Sequence, residues 1–96
     1  MATLYITEFD KIVKDQTEEI QAIRFPAITT QTVTIGASSA ASSAFNAKTR
    51  LVRVVSDVDC HIEYGTSPTA TTSKTFLPAY VPEYFGVDGG NKIAVI

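Results

Sequence analysis

The chain has 96 residues, enough for one domain, and a chain of that size buries only about two thirds of the surface its unfolded form exposes. With 8 basic against 10 acidic residues the formal net charge is −2, which offers nucleic-acid phosphates no electrostatic attraction and sets DNA and RNA aside as partners. A single cysteine excludes an intramolecular disulfide, and charged residues at 19% fall below the roughly 25% usual for soluble domains, which leaves surface available for contact.

The N-terminus turns acidic at Glu8 without a basic segment followed by a long apolar run, so no secretory leader is expected. No apolar stretch approaches the length that spans a bilayer, so no membrane partner is expected. Thr3 to Phe9 alternates with period two, placing Leu4 and Ile6 on one side and Tyr5, Thr7 and Phe9 on the other. It reads as a first strand or a free arm. Lys11 to Arg24 fits either an apolar helical stripe of Ile12, Val13, Ile20 and Ile23 or two extended pieces joined at Asp15-Gln16-Thr17-Glu18, with the hairpin preferred. Phe25-Pro26 marks a boundary, because proline restricts the residue before it to extended backbone.

Gln31 to Ile35 is a short strand with Val33 and Ile35 inward, closed by Gly36. The tract Gly36 to Ala44, rich in alanine and serine, reads as a loop with room for one helical turn, since serines compete for backbone hydrogen bonds. Phe45 is expected to plug the core. Thr49 to Val55 is β-branched, with Arg50 and Arg53 on opposite faces. Ser56-Asp57-Val58-Asp59 supplies turn residues before the alternating Cys60, Ile62 and Tyr64, so this pair reads as a hairpin. Lys74 to Leu77 is a short strand stopped by Pro78. Glu83 to Val87 and Lys92 to Ile96, joined by Asp88-Gly89-Gly90-Asn91, carry the strongest hairpin signal in the chain. Roughly seven or eight short strands with regular turn signals favour a mainly β fold, a small antiparallel β-sandwich or jelly roll with an extended N-terminal arm. Residues 1–96 form one domain on this reading, with 1–29 the arm or hairpin region and 30–96 the sandwich core.

A search for chemistry finds no catalytic set. Cys60 and His61 are adjacent, and consecutive residues of a strand point to opposite faces, so they cannot act as nucleophile and base for each other. Gly36-Ala37-Ser38-Ser39-Ala40 lacks the second glycine of a nucleophile elbow. Asp57 and Asp59 lack the further oxygens a calcium ion needs, and one cysteine with one histidine falls short of a zinc site. No catalytic residue, metal, cofactor or small-molecule substrate is expected. Tyr5 and Phe9, on a segment free to hang off the sheet, Arg53, and Tyr80, between Pro78 and Pro82, are the expected interface residues, since aromatic residues and arginine are enriched at protein contacts.

The runs Thr3-Leu4-Tyr5-Ile6-Thr7-Glu8, Gln31 to Gly36 leading into the Ala/Ser tract and Phe45-Asn46-Ala47, and Arg53-Val54-Val55-Ser56-Asp57 resemble a family of small proteins from tailed-phage and prophage structural gene clusters. Cys60 to Gly65, Ser67 to Thr71, Glu83 to Val87 and Lys92 to Ile96 extend the resemblance from Thr30 onward. The chain departs from that pattern at Lys11 to Thr29, where a glycine-containing turn is expected, and at Tyr80, where glycine is expected. The resemblance implies a non-enzymatic virion protein, made in the host bacterial cytoplasm and carried on the capsid surface. There it would act as a decoration or cement protein that bridges major capsid protein subunits and associates with itself as a dimer or trimer. A tail or fibre adaptor that recognises a receptor is the alternative.

Overall fold

The computed structural model describes residues 2–10, 12–15, 18–23 and 27–96. Among the described residues ten strands appear in chain order: β1 Thr3–Phe9, β2 Ile12–Asp15, β3 Glu18–Ile23, β4 Thr29–Thr34, β5 Ala40–Ala41, β6 Leu51–Ser56, β7 Cys60–Gly65, β8 Thr75–Leu77, β9 Glu83–Gly86 and β10 Lys92–Val95. Eight of them form two four-stranded antiparallel sheets, in the orders β4-β1-β6-β9 and β5-β10-β7-β8, while β2 and β3 form a two-stranded sheet of their own.

The sheets pack through their period-two apolar faces. Leu4, Ile6, Val33, Val52 and Val54 from the first meet Cys60, Ile62, Leu77, Ile93 and Val95 from the second, and Phe45 caps the assembly from its loop. Each such aliphatic side chain, fully buried, contributes about 1.5–3 kcal/mol. The expected sandwich is therefore present, and Phe45 sits where the sequence places it.

The extended N-terminal arm changes identity. β1 is an interior strand, paired with β4 on one side and β6 on the other, and Leu4 and Ile6 are core residues. A strand with two hydrogen-bonded neighbours and a buried face cannot hang free, so the expected division into a 1–29 region and a 30–96 core moves: residues 3–9 belong to the sandwich. The segment that stands as its own sheet is the β2–β3 hairpin, in which Ile12 pairs with Ile23 and Asp15 with Glu18 across a register shift. That settles the helix-or-hairpin alternative for residues 12–15 and 18–23; Gln16, Thr17 and the Phe25-Pro26 boundary lie outside the described residues.

Two expected hairpins are instead crossings between sheets. β6 and β7 are adjacent in sequence but belong to different sheets, and so do β9 and β10. In the first case the turn aspartates reach away from the turn: Asp57 Oδ1 accepts the Thr3 N–H at 2.8 Å and Asp59 Oδ1 accepts the Ala79 N–H at 2.8 Å. In the second, the glycines serve close approach. A Cβ at Gly89 would lie 2.5 Å from the Ala47 carbonyl oxygen and 2.6 Å from that of Asn46. Gly90 has φ 88° and donates its N–H to the Phe45 carbonyl at 2.9 Å, while the Phe45 N–H donates to the Asn91 carbonyl at 2.8 Å. The Asp-Gly-Gly-Asn run is thus zipped onto the loop around Phe45, and the chain passes from one sheet to the other there.

The Ala/Ser tract holds a two-residue strand, β5, against β10 and no helical turn. Ser42 and Ser39 explain the preference: Ser42 Oγ accepts the Ile93 N–H at 3.1 Å and Ser39 Oγ accepts the Ala70 N–H at 2.8 Å, bonds that hold an extended tract in place.

Candidate interaction face

Alternation along β1, β6 and β9 sorts their side chains into a core face and an outer face. Because Leu4, Ile6, Val52, Val54 and Phe85 point inward, Tyr5, Thr7, Arg53, Val55 and Tyr84 share the outer face. The register aligns them in rows. Thr30, Thr7, Arg53 and Tyr84 lie side by side across all four strands, and Thr32, Tyr5 and Val55 form the next row. Tyr5 and Tyr84, two strands and one row apart, have Cα atoms about 12 Å from each other. Tyr5 is 46% exposed and Tyr84 50%, while Arg53 is half-buried between Thr7 and Tyr84.

Among the described residues Arg53 has neither an ion-pair partner nor a side-chain hydrogen bond. The outer face of the other sheet differs, since Glu63 pairs with Lys74 at 3.1 Å and His61 lies against the Phe76 ring, centroids 5.4 Å apart. Lys74 beside Glu63 holds that carboxyl below its ordinary range. Arg50 lies just before β6 and spends Nη1 on the carbonyls of Ala47 and Thr49, both at 3.0 Å.

Of the four expected interface residues, the structure brings Tyr5 and Arg53 onto one face and adds Tyr84, which the sequence reading passed over although its alternation with Phe85 carried the signal. Phe9 is a correction. It is 1% exposed, and its carbonyl is tied to the Arg50 N–H at 2.9 Å; a ring already out of water cannot anchor a partner. Tyr80 lies apart from the rows, beside the end of β6, where its N–H donates to the Ser56 carbonyl at 2.8 Å. Its side chain is 75% exposed and its backbone has φ 62°, the left-handed region that costs a residue bearing a Cβ about 1–2 kcal/mol.

Glu8 is buried within the sandwich, where Oε1 accepts the Thr49 hydroxyl at 2.7 Å and the Asn46 N–H at 2.9 Å, and Oε2 accepts the Gln31 amide at 3.1 Å. Those bonds satisfy the carboxylate and tie β1 to β4 and to the loop before β6. A cavity of about 190 Å³ opens between β8 and β9, lined by Ile62, Tyr64, Thr75, Phe85, Val87 and Ile93. Cys60 is buried, and burial raises its thiol pKa above the ordinary value, with a bond to Ser56 opposing that shift and the charges of Asp59 and Asp57 adding to it. His61 is on the opposite face of β7. Among the described residues no three of His, Cys, Asp and Glu gather as a metal site would require.

The fold and its outer face define a small antiparallel β-sandwich that displays an aromatic and arginine platform. Compared with family models, with curated proteins and with solved structures, the chain matches none.

Proposed function

We propose that the chain is a non-enzymatic structural protein that binds another protein through the outer face of the β4-β1-β6-β9 sheet, and that it serves as a decoration or cement protein bridging major capsid protein subunits. The observation that carries the binding reading is Arg53. A half-buried arginine in register between Thr7 and Tyr84, without a counter-ion among the described residues, is suited to a partner carboxylate, since arginine makes directional paired bonds to that group. Tyr5 and Tyr84 supply rigid apolar area on either side. The capsid assignment rests on the resemblance to phage structural proteins. Many weak contacts repeated over a lattice would give avidity, so one modest face per copy suffices.

The test is a cryo-EM map of particles purified from a host carrying the gene, paired with rebinding of purified protein to stripped particles. Density for the sandwich on the capsid shell, with Arg53 against an acidic residue, is the expected result. Arg53→Glu and Tyr84→Ala should each reduce rebinding by tenfold or more, equivalent to at least about 1.4 kcal/mol. Density on the tail would replace this reading with the adaptor role, and particles lacking the chain would end both.

A further inference from the structure

A sandwich of two open sheets has four edges, and an exposed edge offers unpaired N–H and C=O groups to any other strand unless it is blunted. Three of the four are blunted here. β5 is two residues long. β8 is three residues long and confined between Lys74 and Pro78. β9 is four residues long, follows Pro82 and begins with Glu83. β4 carries none of these devices: its six residues, Thr-Thr-Gln-Thr-Val-Thr, contain no charge and no proline, and they pair with β1 from Thr29 to Thr34 without a register shift. Thr29, Thr30, Thr32 and Thr34 are all exposed.

The direction of the free groups follows from the ladder. The Ile35 N–H donates to the Ala2 carbonyl at 2.9 Å, and in an antiparallel pair the residues that bond to a given neighbour alternate. Val33 and Gln31 therefore turn their backbone groups toward β1, and Thr30, Thr32 and Thr34 turn theirs away from it. The Thr30 carbonyl takes a long 3.4 Å bond from the Thr29 hydroxyl, which an approaching N–H would displace.

We propose that β4 is a homotypic association edge: two copies of the chain pair antiparallel through β4 about a two-fold axis at Thr32. That axis sets Thr32 against Thr32 of the second copy and Thr30 against Thr34 of the second copy, each pair exchanging two N–H···O bonds. Cross-strand threonine pairs are favourable where like charges would be repulsive, and a net charge of −2 per copy adds little opposition. A second copy is the occupant because this neutral strand is complementary to itself under the two-fold that most homodimers use. The result is one eight-stranded sheet with both Arg53 faces on the same side, so the dimer is bivalent toward any partner of that face.

Sedimentation equilibrium of the full chain, over a micromolar to submillimolar series, tests this without reference to the capsid partner. The wild-type protein is expected to show a species of twice 10.4 kDa, and Thr32→Lys, which sets two ammonium groups on the axis, is expected to give only the 10.4 kDa species. Circular dichroism confirms that the variant is folded. Should Thr32→Lys fail to fold, Thr32→Cys treated with a short bis-maleimide decides: a cross-linked dimer is expected, because buried Cys60 is shielded and the new thiols of a hydrogen-bonded pair lie within the linker's reach though too far apart for a relaxed disulfide. A wild-type monomer throughout, a trimer, a dimer unaffected by Thr32→Lys, or no cross-linked Thr32→Cys product would each overturn the proposal.

Discussion

Tyr80 combines two features that rarely coincide, a left-handed backbone and an exposed aromatic ring. Strain of that kind persists only where the surroundings enforce it and is concentrated at sites of function. Tyr80→Gly is expected to raise stability by about 1 kcal/mol, seen as a melting temperature higher by about 5 °C. If the ring is part of the contact surface, the same variant should bind its partner less well; unchanged or lowered stability would mean that the backbone is not strained. Glu8 poses the opposite case, a buried carboxylate whose worth lies in what it holds. Glu8→Ala leaves the Asn46 N–H and the Thr49 hydroxyl without their acceptor, and a loss of about 3 kcal/mol is expected in urea denaturation. A loss below about 1 kcal/mol would show that water replaces the carboxylate freely.

Among the elements, the strands were legible and their pairing was not. The alternations at Thr3–Phe9, Leu51–Ser56 and Cys60–Gly65 state which side chains face inward, because period two follows from backbone geometry alone. Pairing depends on where a turn's own polar groups find partners. Asp57, Asp59 and the Gly89-Gly90 pair look like local turn residues, yet their bonds and close approaches run to Thr3, Ala79 and the loop around Phe45. Nothing in a local window distinguishes a glycine needed for a hairpin from one needed for close approach. The outer face was half legible for a similar reason: Tyr5 and Arg53 could be named, but their alignment with Tyr84 is a property of register. Gly89→Ala tests the crossing directly. The added methyl would meet backbone carbonyls, which cannot swing aside as a side chain can, so destabilisation of about 3 kcal/mol is expected by thermal melting. A variant as stable as wild type would show that the two loops separate without cost.

For the molecule as a whole, the place of β1 governs what can be removed. Deleting residues 2–10 strips Leu4, Ile6 and Phe9 from the interior and leaves β4 and β6 without their common neighbour. The lost burial alone amounts to roughly 5–9 kcal/mol, comparable with the entire 5–15 kcal/mol stability of an ordinary domain. The truncated chain is expected to be unfolded by circular dichroism and rapidly digested by protease; a cooperative melt would show that the sandwich closes without β1.

β10 has a consequence of another kind. It lies between β5 and β7, so the second sheet has a gap at its centre until Ile93 to Val95 take their places. A ribosome adds about 5–20 residues per second, and several seconds therefore separate the emergence of β4 from that of the strand that closes the fold. Through that interval the neutral β4 edge is exposed while the core it belongs to is incomplete. Crowded polysomes would bring such edges together before any of the chains is finished, so the yield of folded protein should depend on how densely ribosomes load the message as well as on the stability of the product.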